Sequence, residues 1–399
     1  MMADGRVLRC LAACCVFMVL CAAAFAADEP GLPWPRHVID NTSRGADGVR
    51  LADVNGDGCQ DIATGWEEGG VVRVYLNPGP AGAKMPWPAV EVGRVRSPED
   101  AVFADVDGDG AVDVVSACEG KERTIYVHWA PRDPSKYLDG SQWKTEAIPA
   151  SVARTQWMFI APAVSPGSRV PELFAGAKNE GACIGVFRPA DAARDLAAWS
   201  WERLQAAGWV MSLVWADMDS DGAPDLLFSD RKGANRGCHW LRNPGGSGEW
   251  ALLTAGLHEH EVMFLATGDV DDDGMRDIVV ATRGGPIMRL EQNPSGGWDE
   301  TAIPMPENTG TGKGVGLGDL DGDGLADIVF TCENAKDKRG VMGLRQREDG
   351  TWSPRDIGGL DGVKFDRVEL LDLDADGDLD VLTCEETAGL GVIWYENPG

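Results

Sequence analysis

The sequence is poor in positive charge. Its 36 Lys and Arg stand against 64 Asp and Glu, for a formal net charge of −28. Binding nucleic acid takes a basic face that displaces the counterions of the phosphates, so that class of partner is excluded. Histidine is scarce, with five residues, and Cys-x-x-Cys does not occur. His258 and His260 stand together with no third ligand at zinc spacing, and His37, His128 and His239 fall in expected strands. No nucleophile elbow, Walker loop or dinucleotide-binding glycine pattern follows a strand. Beyond Leu11–Ala24 no apolar run is long enough to cross a membrane.

That one run sits behind Arg6 and Arg9 and ends in Ala24-Phe25-Ala26, the pattern of a secretory signal over residues 1–26. The expected mature unit is residues 27–399, outside the cytoplasm and without a membrane span. Losing Arg6, Arg9 and Asp4 takes the charge from −28 to −29. Cys10, Cys14, Cys15 and Cys21 leave with the signal. Cys59, Cys118, Cys183, Cys238, Cys332 and Cys384 remain, and several recur at equivalent places. Equivalent places rarely come within disulfide reach, so they read as small buried hydrophobes. A chain 44% hydrophobic with 15 Trp is a folded one.

What is abundant is aspartate in one pattern, D-x-[DN]-x-D-G-x-x-D. It occurs as Asp53, Asn55, Asp57 and Asp61; as Asp105, Asp107, Asp109 and Asp113; and as Asp217, Asp219, Asp221 and Asp225. It returns as Asp269, Asp271, Asp273 and Asp277; as Asp319, Asp321, Asp323 and Asp327; and as Asp372, Asp374, Asp376 and Asp380. Carboxylates at positions one, three, five and nine, with the carbonyl of position seven, can converge on one hard cation. An all-oxygen set suits Ca2+ better than zinc. The Gly at position six supplies the sharp turn. Up to six calcium sites are therefore expected. An EF-hand is excluded, because position twelve is never Glu and strands, not helices, flank the loop.

The first Asp falls at 53, 105, 217, 269, 319 and 372, so the steps are 52, 112, 52, 50 and 53. The step of 112 is two periods and hides a repeat. Trp157–Ile160, Glu172–Gly176 and Ile184–Pro189 supply its strands, and the loop between Pro162 and Pro171 has lost its Asp ladder. Seven repeats of about 50 residues, each with four short strands, predict an all-β, seven-bladed β-propeller. The seventh repeat stops at Asn397-Pro398-Gly399, after a third strand. Trp34–Asp40 is patterned like the missing fourth and is expected to close the ring in the last blade, covering a sheet edge. Residues 132–142 and 190–200 are the longest insertions, with a short helix expected over Asp191–Trp199.

On these loops and this period the chain resembles the FG-GAP/VCBS family, in its shorter secreted bacterial form. The resemblance covers about residues 34–399 and implies calcium loops in a seven-bladed propeller. It fixes activity poorly, since the family includes binding proteins, surface proteins and propellers attached to lyases.

A ligand site is expected on the face opposite the loops, where the innermost strands begin. One ring of positions reads Asp47, Glu99, Met158, Met211, Met263, Lys313 and Asp366. A second reads Glu67, Glu119, Lys178, Arg231, Arg283, Glu333 and Glu385. Trp157 and Trp209 lie beside the Met residues. Aromatic platforms next to carboxylates and basic groups suit a sugar or uronic acid. The expectation is a monomeric calcium-binding module with a glycan or protein partner. The alternatives are a carbohydrate-active enzyme, a lyase or a relative of aldos-2-ulose dehydratase lacking the cupin-like domains, and a structural surface protein.

Overall fold

The computed structural model describes residues 30–246, 248–293 and 295–399. The signal segment and Pro294 lie outside them. The strands form seven four-stranded antiparallel sheets. In chain order the innermost strands are Ala46–Ala52, Pro98–Ala104, Gln156–Ala163, Val210–Ala216, Val262–Gly268, Thr311–Gly318 and Phe365–Leu371. Each opens one blade and runs into the Asp loop, or its remnant, before turning back. Among the described residues helix is confined to four three-residue 3-10 turns. The helix expected over Asp191–Trp199 shrinks to one of these, Leu196–Ala198, because Trp199 is buried and anchored through its indole N–H to the Ala193 carbonyl.

The seventh sheet runs Phe365–Leu371, Asp380–Glu385, Gly391–Tyr395 and then Arg36–Asp40, so the N-terminal strand closes the ring as expected. Its register pairs Arg36 with Tyr395 and Val38 with Ile393. The hidden blade has its four strands at Gln156–Ala163, Glu172–Lys178, Cys183–Arg188 and Ser200–Ala206. The second strand of every blade is buried at nearly every position, because its two faces pack against neighbouring blades. This is why those strands read as continuous apolar runs instead of alternating ones. Among the described residues the six cysteines are unpaired, five of them buried.

Every inner hairpin carries a bulge near the beginning of its first strand. The register shifts between Asp47 and Arg50, Pro98 and Asp100, Trp157 and Phe159, Val210 and Ser212. It shifts again between Val262 and Leu265, Gly312 and Val315, and Phe365 and Val368. A bulge adds an unpaired residue and re-aims its side chain. Seven in a ring act on one level of the channel.

Candidate functional site

The Asp loops occupy one face. In all six, the position-one carboxylate accepts from the N–H of the position-six Gly, at 2.9–3.1 Å. Those glycines have φ of +83° to +102°, the left-handed region that a side chain would strain. The position-nine Asp is buried in every copy. Asp113 accepts from the N–H of Val106 at 3.1 Å and of Ala130 at 2.7 Å, tying the loop to the end of the third strand. Asp61, Asp225, Asp327 and Asp380 make the same double tie.

The ladder fits a hard cation. Asp105, Asp107 and Asp113 bring carboxylate oxygens within 4.8 Å of one another, as do Asp217, Asp219 and Asp225, and Asp269, Asp271 and Asp273. In the sixth loop the buried Oδ1 of Asp374 has no hydrogen-bond partner. Basic side chains lean on the ladders: Arg132 on Asp109 at 2.6 Å, Arg242 on Asp219 at 2.6 Å, Arg289 on Asp271 at 2.7 Å and Lys84 on Asp374 at 2.9 Å. Arg194 and Arg345 do the same to Asp107 and Asp321. Mutual repulsion of these carboxylates is thus partly offset by protein cations.

The opposite mouth is built on the bulges. Asp47, Glu99, Met158, Met211, Met263, Lys313 and Asp366 sit at or beside them, one from each blade. Three Met residues, nearly fully buried, make one side apolar. The other side is a charge network. Lys313 Nζ donates to Glu386 Oε1 at 2.6 Å and stands 3.4 Å from Asp366 Oδ1. Asp47, Asp366 and Glu386 bring oxygens within 4.8 Å of one another, and so do Asp47, Glu67 and Glu99. Burial first, then the charges of Asp366, Glu386 and Glu99, push the Asp47 carboxyl well up. Burial acts on Asp366 too, but Lys313 and a hydrogen bond from Asp47 outweigh it and hold Asp366 at about 2. The two neighbouring carboxyls are thus driven in opposite directions, Asp47 up and Asp366 down. Burial, opposed by Lys178, brings Glu99 up to about 7.

Most of the second ring meets here in ion pairs across blade boundaries. Lys178 contacts Glu119 and stands 3.7 Å from Glu99. Arg231 meets Glu261 at 2.6 Å, and Arg283 meets Glu333 at 3.0 Å. The Trp209 indole carries three cations, with Lys178, Arg231 and Lys232 at 4.7, 4.6 and 4.3 Å from its ring centre. Its buried Nε1 has no acceptor.

Two expected members are elsewhere. Trp157 is fully buried between blades, edge-on to Phe187 and Trp201, with its N–H on the Ser151 carbonyl. A ring of that size flanking the bulge is taken by the interblade core. Glu385 turns inward and accepts from the N–H groups of Val363, Lys364, Thr387 and Ala388. Glu386 takes its place at the mouth, where Lys364 joins it. An unbroken count of six residues beyond each last Asp reaches Glu386. Lys364 and Lys232 had no sequence signal, and Glu261 had none that placed it at the mouth, since all three enter from loops. His258 Nδ1 lies 3.0 Å from the Arg236 carbonyl, and its ring packs 5.8 Å from that of His239.

The family model described as FG-GAP-like repeat matches residues 53–116 and 269–330. Those stretches span the loops of blades one and two and of blades five and six. The chain is a seven-bladed β-propeller that carries FG-GAP-like repeats in those two stretches. None of the curated proteins compared with it matches. Among solved structures it is similar to BBS1N, from a complex with ARL6DN. That match has a TM-score of 0.53 and 10% identity, and covers 91% of this chain and 96% of that one. It is also similar to an ancestral GH74 enzyme, with a TM-score of 0.58, 14% identity and 90% of this chain covered. The match spans 48% of the GH74 chain, about half its length. At these identities the likeness is one of fold. No helix among the described residues is long and apolar enough to cross a membrane.

Proposed function

We propose that this chain is a secreted, calcium-stabilised propeller that works as a binding module through the channel mouth opposite its Asp loops. Its ligand is a sugar carrying a carboxylate, such as a uronic acid in a glycan. The observation that carries the reading is Trp209, an indole with an unpaired N–H, ringed by Lys178, Arg231 and Lys232. An aromatic face stacks on a sugar ring, and Arg and Lys take its carboxylate. The acidic side of the mouth, Asp47, Glu67 and Glu99, suits the hydroxyls as acceptors. Calcium on the loops fits the convergence of carboxylate oxygens in those of blades two, four and five.

A second reading, a carbohydrate-active enzyme, is favoured by one feature. Asp47 is pushed up and Asp366 held down beside Lys313, so of two adjacent carboxyls one keeps its proton to higher pH than the other, as acid–base work needs. An array of anionic polysaccharides, run with an ultraviolet assay for unsaturated products, separates the readings. Binding without turnover is expected, and it is lost on charge reversal in Arg231→Glu. Product formation that fails in Asp47→Asn would replace the module by the enzyme. Binding unchanged in Arg231→Glu would remove the mouth as the site.

A further inference from the structure

The channel holds a second, separate space. Between the bulge ring and the Asp loops lies a cavity of about 300 Å3, walled by the innermost strands of blades four to seven. Its volume is at the small end of ligand pockets. The apolar part of the wall is Phe264, Val315, Leu317, Val368 and Leu370. Phe264 also meets Phe159 edge-on at 5.5 Å across the channel.

One side of this apolar space carries two opposite charges. Arg367 and Glu369 both line this space from one inner strand. Their closest approach, Arg367 Nη1 to Glu369 Oε1, is 3.6 Å, too long for a hydrogen bond. The Arg367 side chain is 15% exposed and Glu369 31%. Neither has another ion pair within bonding reach among the described residues. The neighbouring Arg50 is already engaged, by Asp100 at 3.1 Å and by the Ile160 carbonyl at 2.6 Å. Burial pushes the Glu369 carboxyl up, against the pull of Arg367 and Arg50, so its charge is held at a cost. Buried charges are costly unless each is hydrogen-bonded.

We propose that this cavity binds a small zwitterion with an apolar side chain, of the kind and size of a free leucine or phenylalanine. The ligand carboxylate accepts two N–H bonds from the Arg367 guanidinium, and its ammonium donates to Glu369. The side chain lies against Phe264, Leu317 and Leu370. A net-neutral ligand matches a net-neutral pair, so each charge gains a partner and none is left over. The site is distinct from the Trp209 mouth, and its test does not depend on that reading.

The test is calorimetry on the full mature chain in calcium, with L-phenylalanine as the probe. Hydrocinnamate lacks the ammonium, and phenethylamine lacks the carboxylate. Phenylalanine is expected to bind in the millimolar range or tighter, with either analogue at least about tenfold weaker. Arg367→Gln and Glu369→Gln should each weaken phenylalanine by about tenfold or more. Glu369→Gln keeps the test if Arg367→Gln does not fold, since the one ion pair of Glu369 among the described residues is the 3.6 Å contact to Arg367. No binding at about 10 mM phenylalanine overturns the proposal. So does hydrocinnamate binding as well as phenylalanine, or affinity retained in Glu369→Gln.

Discussion

In blade two the residue that opens the second strand is Asp113; in blade three it is Glu172. Both occupy the same register, opposite Ala104 and Ala163. Asp113 is 1% exposed and holds the loop and the third strand through two backbone N–H groups. Glu172, one methylene longer, swings out to Arg188 at 2.8 Å, with its side chain 25% exposed. Blade three replaces the buried tie with aromatic packing, in which Trp157, Phe187 and Trp201 meet at 4.3–5.5 Å between ring centres. A blade can thus be clipped by ordered charge at its loop or by apolar mass between sheets. The first needs something to offset the carboxylates; the second needs nothing.

Calcium should expose that difference most strongly. Each occupied loop adds about 2.7 kcal/mol at a hundredfold excess over its Kd. EDTA is expected to lower the melting temperature and calcium to restore it. Amide exchange should rise in 53–61, 105–113 and the four other loops while 164–171 stays unchanged. An equal rise in 164–171, or no response anywhere, would break the contrast.

Single substitutions sharpen it next. Asp113→Ala leaves two buried N–H groups without an acceptor and should cost about 2–4 kcal/mol. Glu172→Ala gives up a partly exposed ion pair and should cost under about 1 kcal/mol. Denaturant unfolding measures both, and equal costs would mean that the two residues do the same job.

A pH-dependent effect belongs to the mouth. Burial raises Glu99 from 4.5 to about 7, so the native state holds its proton more tightly than the unfolded chain does. Its contribution is fully present below about pH 4.5 and is lost as pH rises through about 7. The loss should be of order 1–3 kcal/mol. Glu99→Gln should flatten stability over that window, and an unchanged slope between pH 4.5 and 7 would assign the titration to another group.

The ring, the hidden blade and the strand that closes it were legible because they leave periodic marks. Gly58, Gly110 and their equivalents fix the turn, and the run after each last Asp fixes the second strand. The mouth was legible in outline, since Asp47, Lys313 and Asp366 fall at a constant distance from the loops. What escaped was set by geometry that leaves no periodic mark. The bulges were invisible as such, though they aim those side chains. Trp157 is drawn into the interblade core by its volume, and Glu385 is claimed by backbone N–H groups. Lys364 and Glu261 reach the mouth from loops whose path no pattern in the residues records.

The strand pair that closes the ring has a kinetic side. His37 and Glu396, joined at 2.8 Å across it, are 359 positions apart in the chain. Six sheets form from neighbours in sequence, whereas the seventh has to wait for the two ends of the domain to meet. Closing so long a loop costs entropy that grows only logarithmically with its length. The lock adds little to the thermodynamic burden, but it makes topology the slow coordinate. Until it forms, Gly391–Tyr395 remains an open edge, and a second copy's Arg36–Asp40 has the right sequence to fill it. Whether this protein folds into a ring or exchanges strands with a neighbour is therefore a contest between an intramolecular search and concentration.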